Sequence, residues 1–314
     1  MSRPGLDLIF AGSGHFGLPT LRALLRSGDR VVQVVSQPDR PAGRGMKLTP
    51  TPISQLALEN GIPLLRTADM NAESLPPADV MVVIAFGQKI AEHVTRHARL
   101  GAVNLHGSIL PKFRGAAPVN WAIIAGERQT GNSIIRLAPK MDAGAILAQS
   151  RFGIGPLETA GELHDRLAED GAPLMLRVLD ELASGTAVEV EQDHAQATLA
   201  KKITRESTRL EFNSPAREVA RRIRGMYPWP GCRVKLMDDQ REIARLTLVR
   251  ASHDDRGSDL PALAGQILAD GTVACDVGRL VVVEVQPEGR RPMPLEAFRH
   301  GHPWREGLWL ESIV

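Results

Sequence analysis

Asn104 and His106 stand two residues apart in Val103-Asn-Leu-His106, and Asp142 stands in Met141-Asp-Ala-Gly144. An amide, an imidazole and a carboxylate are groups that can hold a developing oxyanion and move a proton at neutral pH. If residues 102–105 form a short strand, Asn104 and His106 project from one face while Val103 and Leu105 turn into the core. Gly107 then breaks the strand, and a loop punctuated by Pro111, Gly115 and Pro118 leads into an apolar helix around Trp121 to Ala125. Polar side chains at the carboxyl end of a strand, followed by an open loop, are where α/β sheets bind ligands. A lone histidine is more often structural, so the weight lies in the whole string and in its downstream answer at Asp142.

The scaffold that must position these groups is legible as an alternation. Strand patterns at residues 6–11, 31–36, 62–65, 79–85, 131–137 and 146–152 are interleaved with helical spacing at 19–27, 51–60 and 90–98. A longer helical pattern over 159–184 is closed by Gly185. This alternation predicts an α/β fold with a Rossmann-like, mostly parallel sheet, and the continuous apolar run 79–85 reads as its buried central strand. After Tyr227-Pro-Trp-Pro230 the pattern changes to short β segments near 232–236, 243–249, 265–268, 272–276 and 280–286, the signature of a small barrel. The expected organisation is a catalytic domain over 1–187, a polar and poorly periodic linker over 188–204, and a second domain over 205–314.

Composition bounds the setting. A chain of 314 residues exceeds the usual limit of one core, and 43% hydrophobic with 24% charged residues fits an ordinary globular protein. Two cysteines supply no disulfide framework, so a reducing cytoplasm is expected. The apolar run at residues 6–11 is too short for a membrane span and contains Asp7, so neither anchor nor signal peptide is expected. No metal is expected, because neither the histidines nor the cysteines read as a ligand set.

A net charge of +2 means that any nucleic-acid partner must be held by local clusters. Two stand out. Residues 38–50 read as a loop, too rich in proline and glycine for a helix or strand, carrying Arg40, Arg44 and Lys47 against Asp39. Residues 201–224 hold eight lysines and arginines against three glutamates; here Ser214 is placed to cap a helix starting at Pro215, with Arg217, Arg221 and Arg224 recurring on one face. A third motif, Gly12-Ser-Gly-His-Phe-Gly17, matches the turn of dinucleotide-binding folds. That reading is discounted, since the next strand ends in Gln37-Pro-Asp-Arg40 with only Asp39 available for a ribose.

Taken together, Asn104-Leu-His-Gly-Ser-Ile-Leu-Pro111, Phe113-Arg-Gly-Ala-Ala-Pro118 and Met141-Asp-Ala-Gly144 resemble the folate-dependent formyltransferases. Gln37 to Gly45, Val82 to Gly87 and Tyr227-Pro-Trp-Pro230 extend the likeness over nearly the full length, most closely to the members that formylate methionyl-tRNA. The resemblance implies transfer of the formyl group of 10-formyltetrahydrofolate, as cosubstrate, to the α-amino group of methionine on initiator methionyl-tRNA. It implies catalysis by Asn104, His106 and Asp142, folate contacts from Ser108, Ile109, Leu110, Pro111, Phe86 and Gly87, and tRNA contacts from Arg40, Arg44 and Lys47. It also implies an OB-like C-terminal barrel and a monomer with no metal. The chain departs from the family's Gly-Thr-Pro-(Asp/Glu)-Phe turn at Gly12-Ser-Gly-His-Phe16, which leaves His15 without an assigned role, and it has Ile109 where leucine is typical. The rival readings are another folate-dependent N-formyltransferase or formyl-folate hydrolase using the same three residues, an NAD-linked dehydrogenase, and a noncatalytic RNA-binding protein.

Overall fold

The computed structural model describes residues 5–42, 45–255 and 263–314, which fall into two compact units. The first comprises residues up to Pro118 together with Thr130–Phe152 and His164–Leu199; the second comprises Val119–Gln129, Gly153–Leu163 and the chain from Ala200 onward.

The first unit is built on β1 (Asp7–Gly12), α1 (Leu18–Arg26), β2 (Arg30–Ser36), β3 (Arg40–Ala42), β4 (Lys47–Thr49), α2 (Pro52–Glu59), β5 (Leu64–Arg66), β6 (Val80–Ile84), α3 (Glu92–Thr95), β7 (Ala102–His106), β8 (Ser133–Arg136) and β9 (Ile146–Gln149). The helices α4 (Pro118–Ala125) and α5 (Ala160–Ser184) are divided between the two units by sequence. The sheet order is β9-β8-β7-β6-β1-β2-β5, parallel from β7 to β5, with β8 and β9 antiparallel at one edge. All five residues of β6 are buried, as its unbroken apolar run requires of a strand covered on both faces. The chain runs outward from β1 to β2 and β5, then returns to β6 on the other side. The loops leaving β1 and β6 therefore meet at a topological switch point, the usual place for a ligand crevice.

Local chemistry explains the element ends. Thr51 caps α2, its hydroxyl accepting from the Ser54 amide at 3.0 Å, with Pro52 at the first helical position. Gly12 and Gly17 pack rather than cradle a phosphate: a Cβ on Gly12 would lie 2.8 Å from both the Ile84 carbonyl and the Phe10 ring, and one on Gly17 would lie 3.1 Å from that ring. Asp39 is likewise committed, ion-paired with Arg66 at 2.9 Å.

Three expectations for this unit change. Residues 40–49 are a β-hairpin rather than a loop, with Arg40 opposite Thr49 and Ala42 opposite Lys47. A two-stranded ribbon tolerates Pro41, because its missing donor can face away from the partner strand. The helix expected over 90–98 shrinks to α3, because the amides of Arg99 and Leu100 pair with the carbonyls of Ala78 and Asp79 instead. The stretch after 188 is no free tether: Val190 bridges Ile146 and Gln192 is buried, so residues up to 199 fold with the first unit.

The second unit contains α6 (Ala216–Met226), β10 (Cys232–Asp238), β11 (Arg241–Asp254), β12 (Val273–Ala274), β13 (Arg279–Pro287), α7 (Leu295–Arg299) and β14 (Trp309–Ile313). Its antiparallel sheet has the order β12-β13-β11-β10-β14. Gln266 bridges Trp309 and Ile267 bridges Val273, which joins β14 to β12 and closes the barrel. Two expectations fail in α6. Pro215, not Ser214, occupies the cap position, without a side-chain hydrogen bond, and Arg224 is buried. The Arg224 guanidinium donates to the carbonyls of Ala251 at 3.1 Å and Glu158 at 3.3 Å, so this basic face does not continue into the last turn as an open stripe. Nearby, Glu162 and Thr159 form a reciprocal cap, and Arg250 donates to Glu162 at 2.8 Å and to Glu284 at 3.2 Å.

Candidate active site

The site forms where β7 ends. Asn104 and His106 lie on one face of this strand, opposite Ile135 and Ser133 of β8. Asn104 is half-buried, and among the described residues its carboxamide has no hydrogen-bond partner, leaving its amide donors uncommitted. His106 is buried. Its Nε2 lies 2.9 Å from the Phe113 carbonyl, which can only accept, so Nε2 carries a proton and Nδ1 is the nitrogen free to exchange one. That Nδ1 faces Asp142 Oδ2 at 3.7 Å, within reach of charge attraction but too long for a hydrogen bond. The same Oδ2 accepts the Gly115 amide at 2.8 Å. The two expected partners from separate loops are therefore adjacent, with side chains only 6% and 15% exposed.

Backbone strain concentrates at this edge. Ala85, Phe113 and Asp142 are all non-glycine residues in the left-handed region, with φ of 47°, 60° and 50°. Such conformations cost about 1 to 3 kcal/mol each and persist where surrounding bonds over-determine them. For Asp142 the neighbour explains the turn: a Cβ on Gly144 would come within 1.9 Å of the Arg136 carbonyl, so only glycine lets the Met141–Gly144 turn press this closely on β8.

The loop after His106 is held by a hub of residues that no motif or spacing singles out. Ser133 Oγ donates to the Ser108 carbonyl at 2.7 Å and accepts the Leu110 amide at 3.0 Å, while Gln149 Nε2 donates to the Leu110 carbonyl and to Ser133 Oγ, both at 2.9 Å. Ser108 is fully buried and spends its hydroxyl on the Lys112 carbonyl at 2.7 Å. Leu110 is buried, Ile109 and Pro111 are half-buried, and the Leu110–Pro111 peptide is cis. At the β6 edge, the Phe86 ring lies in the core with Ile9, Val35 and Met81, and its carbonyl accepts from Gln37 Nε2 at 3.0 Å. The surfaces this edge offers are therefore the exposed Ala85 and Gly87 and the backbone, not the Phe86 ring.

The basic residues expected to meet nucleic acid lie apart from this chemistry. Arg40 sits at the base of the hairpin and donates to Gln37 Oε1 at 2.5 Å; Lys47 is exposed on the returning strand; Arg44 lies outside the described residues. Arg40, Arg22, His15, Ser13, Thr49 and Thr51 line one concavity, which is where His15 is placed. His93 and His97 stand four residues apart in a stretch expected to be helical, a pair that the expectation of no ligand set passed over. Yet α3 ends before His97, and each Nε2 lies against a backbone carbonyl, of Asn71 at 3.1 Å and Pro76 at 2.8 Å. Among the described residues no cluster of histidine, cysteine, aspartate and glutamate could hold a metal ion, and no helix is long and apolar enough to cross a membrane.

The sequence matches the formyl transferase family over residues 7–179 and the formyl transferase C-terminal domain over residues 202–303. It is 40% identical over 307 residues to a methionyl-tRNA formyltransferase of Methylococcus capsulatus, covering 95% of this chain and 97% of the relative. The corresponding protein of Moorella thermoacetica is 37% identical over 318 residues, covering 98% and 100%. Among solved structures, an N-formyltransferase from Helicobacter canadensis, in complex with folinic acid and dTDP-3-aminofucose, superimposes with a TM-score of 0.64 at 16% identity, covering 90% of this chain and 99% of its own.

Proposed function

The chain belongs to the formyl transferase family, and on that premise we propose that Asn104, His106 and Asp142 move a formyl group from 10-formyltetrahydrofolate to the α-amino group of methionine on initiator tRNA. The observation that carries the chemistry is the approach of His106 Nδ1 to Asp142 Oδ2 at the end of the strand that also presents Asn104. The acceptor is supported by near-full-length likeness to methionyl-tRNA formyltransferases, whereas likeness to the Helicobacter canadensis N-formyltransferase extends to the fold alone.

The cosubstrate supplies an activated formyl carbonyl, and the residues present suit it. The pinned loop Ser108 to Pro111 follows β7 and the exposed Ala85 and Gly87 follow its parallel neighbour β6, so both stand at the carboxyl edge of the sheet, where a flat, hydrogen-bonding ring system would meet them. Asn104 donates from its carboxamide to the formyl oxygen as negative charge develops there. An α-amino group, with an ordinary pKa of about 7.7 to 8.0, must lose a proton to attack. Asp142, held by the Gly115 amide, receives that proton directly or through His106 Nδ1, whose ring is oriented by the Phe113 carbonyl. No covalent enzyme intermediate is needed: the amine attacks the formyl carbon itself, and collapse of the tetrahedral intermediate breaks the bond to the folate nitrogen, which takes up a proton and leaves as tetrahydrofolate.

The first unit carries this chemistry, and residues 205–314 together with Arg40, Arg44 and Lys47 hold the tRNA. The protein works as a monomer in the cytoplasm, a setting compatible with its two free, buried cysteines. Formyl-folate supplied with initiator methionyl-tRNA, elongator methionyl-tRNA and free amino sugars tests the assignment. Transfer preferring the initiator tRNA is expected, and preference for a free amine overturns it.

A further inference from the structure

Gln192 lies in the polar stretch whose sequence reads as linker, yet it is only 5% exposed and all four of its side-chain hydrogen-bonding positions are used. Nε2 donates to the carbonyls of Asp142 at 2.9 Å and Gly144 at 2.7 Å, spanning the strained turn. Oε1 accepts from Arg114 twice, from Nε at 3.1 Å and Nη2 at 2.6 Å. Arg114 is itself buried; its Nη2 also donates to His194 Nδ1 at 2.8 Å, and its backbone amide donates to the Thr198 carbonyl at 2.9 Å. A guanidinium can only donate and a carbonyl can only accept, so the carboxamide has one permitted orientation.

The neighbours of Arg114 give this network its meaning. Phe113 orients His106 through its carbonyl, and Gly115 binds the Asp142 carboxylate through its amide. Three consecutive residues thus fix the histidine, the glutamine and the aspartate. Among the described residues, Gln192 is the one side chain that ties this tripeptide to the backbone of the Asp142 turn. An aspartate at a φ of 50° does not hold that conformation unaided, and the two bonds from Nε2 oppose its relaxation.

We propose that Gln192, clamped by Arg114, is a positioning residue for formyl transfer that acts through Asp142, keeping its carboxylate against Gly115 and His106. The proposal rests on the reading of Asp142 as a catalytic residue. It requires that loss of Gln192 reduce turnover rather than binding, and that it cost nothing once the Asp142 carboxylate is gone.

The test is a double-mutant cycle measured as formyl transfer to initiator methionyl-tRNA with the full-length protein. Gln192→Ala is expected to lower kcat by about tenfold or more with both KM values within about threefold, and to lower it by less than about twofold further in an Asp142→Ala background. Gln192→Glu is a near-isosteric second variant for the case in which the alanine protein fails to fold. It keeps the oxygen that Arg114 binds but sets another oxygen against the two carbonyls, and the same non-additivity is expected. Near-native kcat in the single variant, or losses that multiply in the double variant, overturns the positioning role. Near-native turnover of Asp142→Ala alone instead overturns the catalytic reading beneath it, so the two failures are told apart by different proteins.

Discussion

The catalytic edge and the basic hairpin lie in the same unit and are built on opposite principles. At the edge, His106, Asp142, Ser108 and Gln192 are each held by backbone partners, and the turn that carries Asp142 is strained and pressed against β8. The hairpin has its own antiparallel pairing and little else. Met46 and Leu48 are 69% and 71% exposed, and Lys47 stands between them in solvent. Proton transfer needs groups fixed to fractions of an ångström before substrate arrives. Gripping a polyanion needs reach, charge and accessible apolar side chains, and tolerates adjustment. Affinity for the acceptor and rate of transfer should therefore respond to separate sets of substitutions.

The largest effect should come from the edge. Asn104→Ala or Asp142→Ala should depress turnover by about a hundredfold or more, checked by steady-state formyl transfer on protein with an unchanged thermal unfolding profile. Loosening the hub comes next. Ser133→Ala leaves the Ser108 carbonyl and Leu110 amide unpaired in a buried place, costing about 1 to 3 kcal/mol in denaturant unfolding and about tenfold in kcat/KM for formyl-folate. The hairpin should behave differently: Lys47→Ala should raise KM for tRNA severalfold, flatten its dependence on salt, and leave stability within about 0.5 kcal/mol. Equal effects of Lys47→Ala on folate and tRNA use would break the comparison.

The smallest effect is a control far from both regions in sequence and chemistry. Arg250, with Thr159, holds the Glu162 carboxyl down to about 2, well below its ordinary value of 4.5. A depressed folded-state pKa stabilises above the unfolded value and is lost as pH falls through the folded one. Glu162 is half-exposed, so Glu162→Gln should cost only about 1 kcal/mol at pH 7, the scale of a helix cap, with the deficit shrinking between pH 4.5 and about 2 and catalysis unaffected.

What the sequence disclosed follows from which forces act locally. The apolar run of β6, the Leu21 and Leu24 stripe of α1 and the Gly185 stop of α5 are local signals, and each element stands where periodicity puts it. Asn104, His106 and Asp142 are singled out by the strings they stand in rather than by their types, since asparagine and aspartate are ordinary turn residues. The hairpin was missed because proline and glycine density reads as loop, while pairing across a turn through Gly45 and Met46 is not visible in either strand alone. Arg224 was misplaced because helical spacing assigns a face but not what covers the last turn. β14 and α7 carried too little apolar pattern to declare themselves. Gln192, Ser133 and Gln149 left no signal at all, since their importance lies in bonds to residues between 16 and 78 positions away.

If the pair at the end of β7 performs the transfer, His106 is indispensable to the chemical step. The most direct test is the single-turnover rate of formyl transfer by His106→Ala, with formyl-folate and initiator methionyl-tRNA both saturating, so that binding drops out. A fall of about a hundredfold or more is expected. A rate within about twofold of the unaltered protein would contradict it.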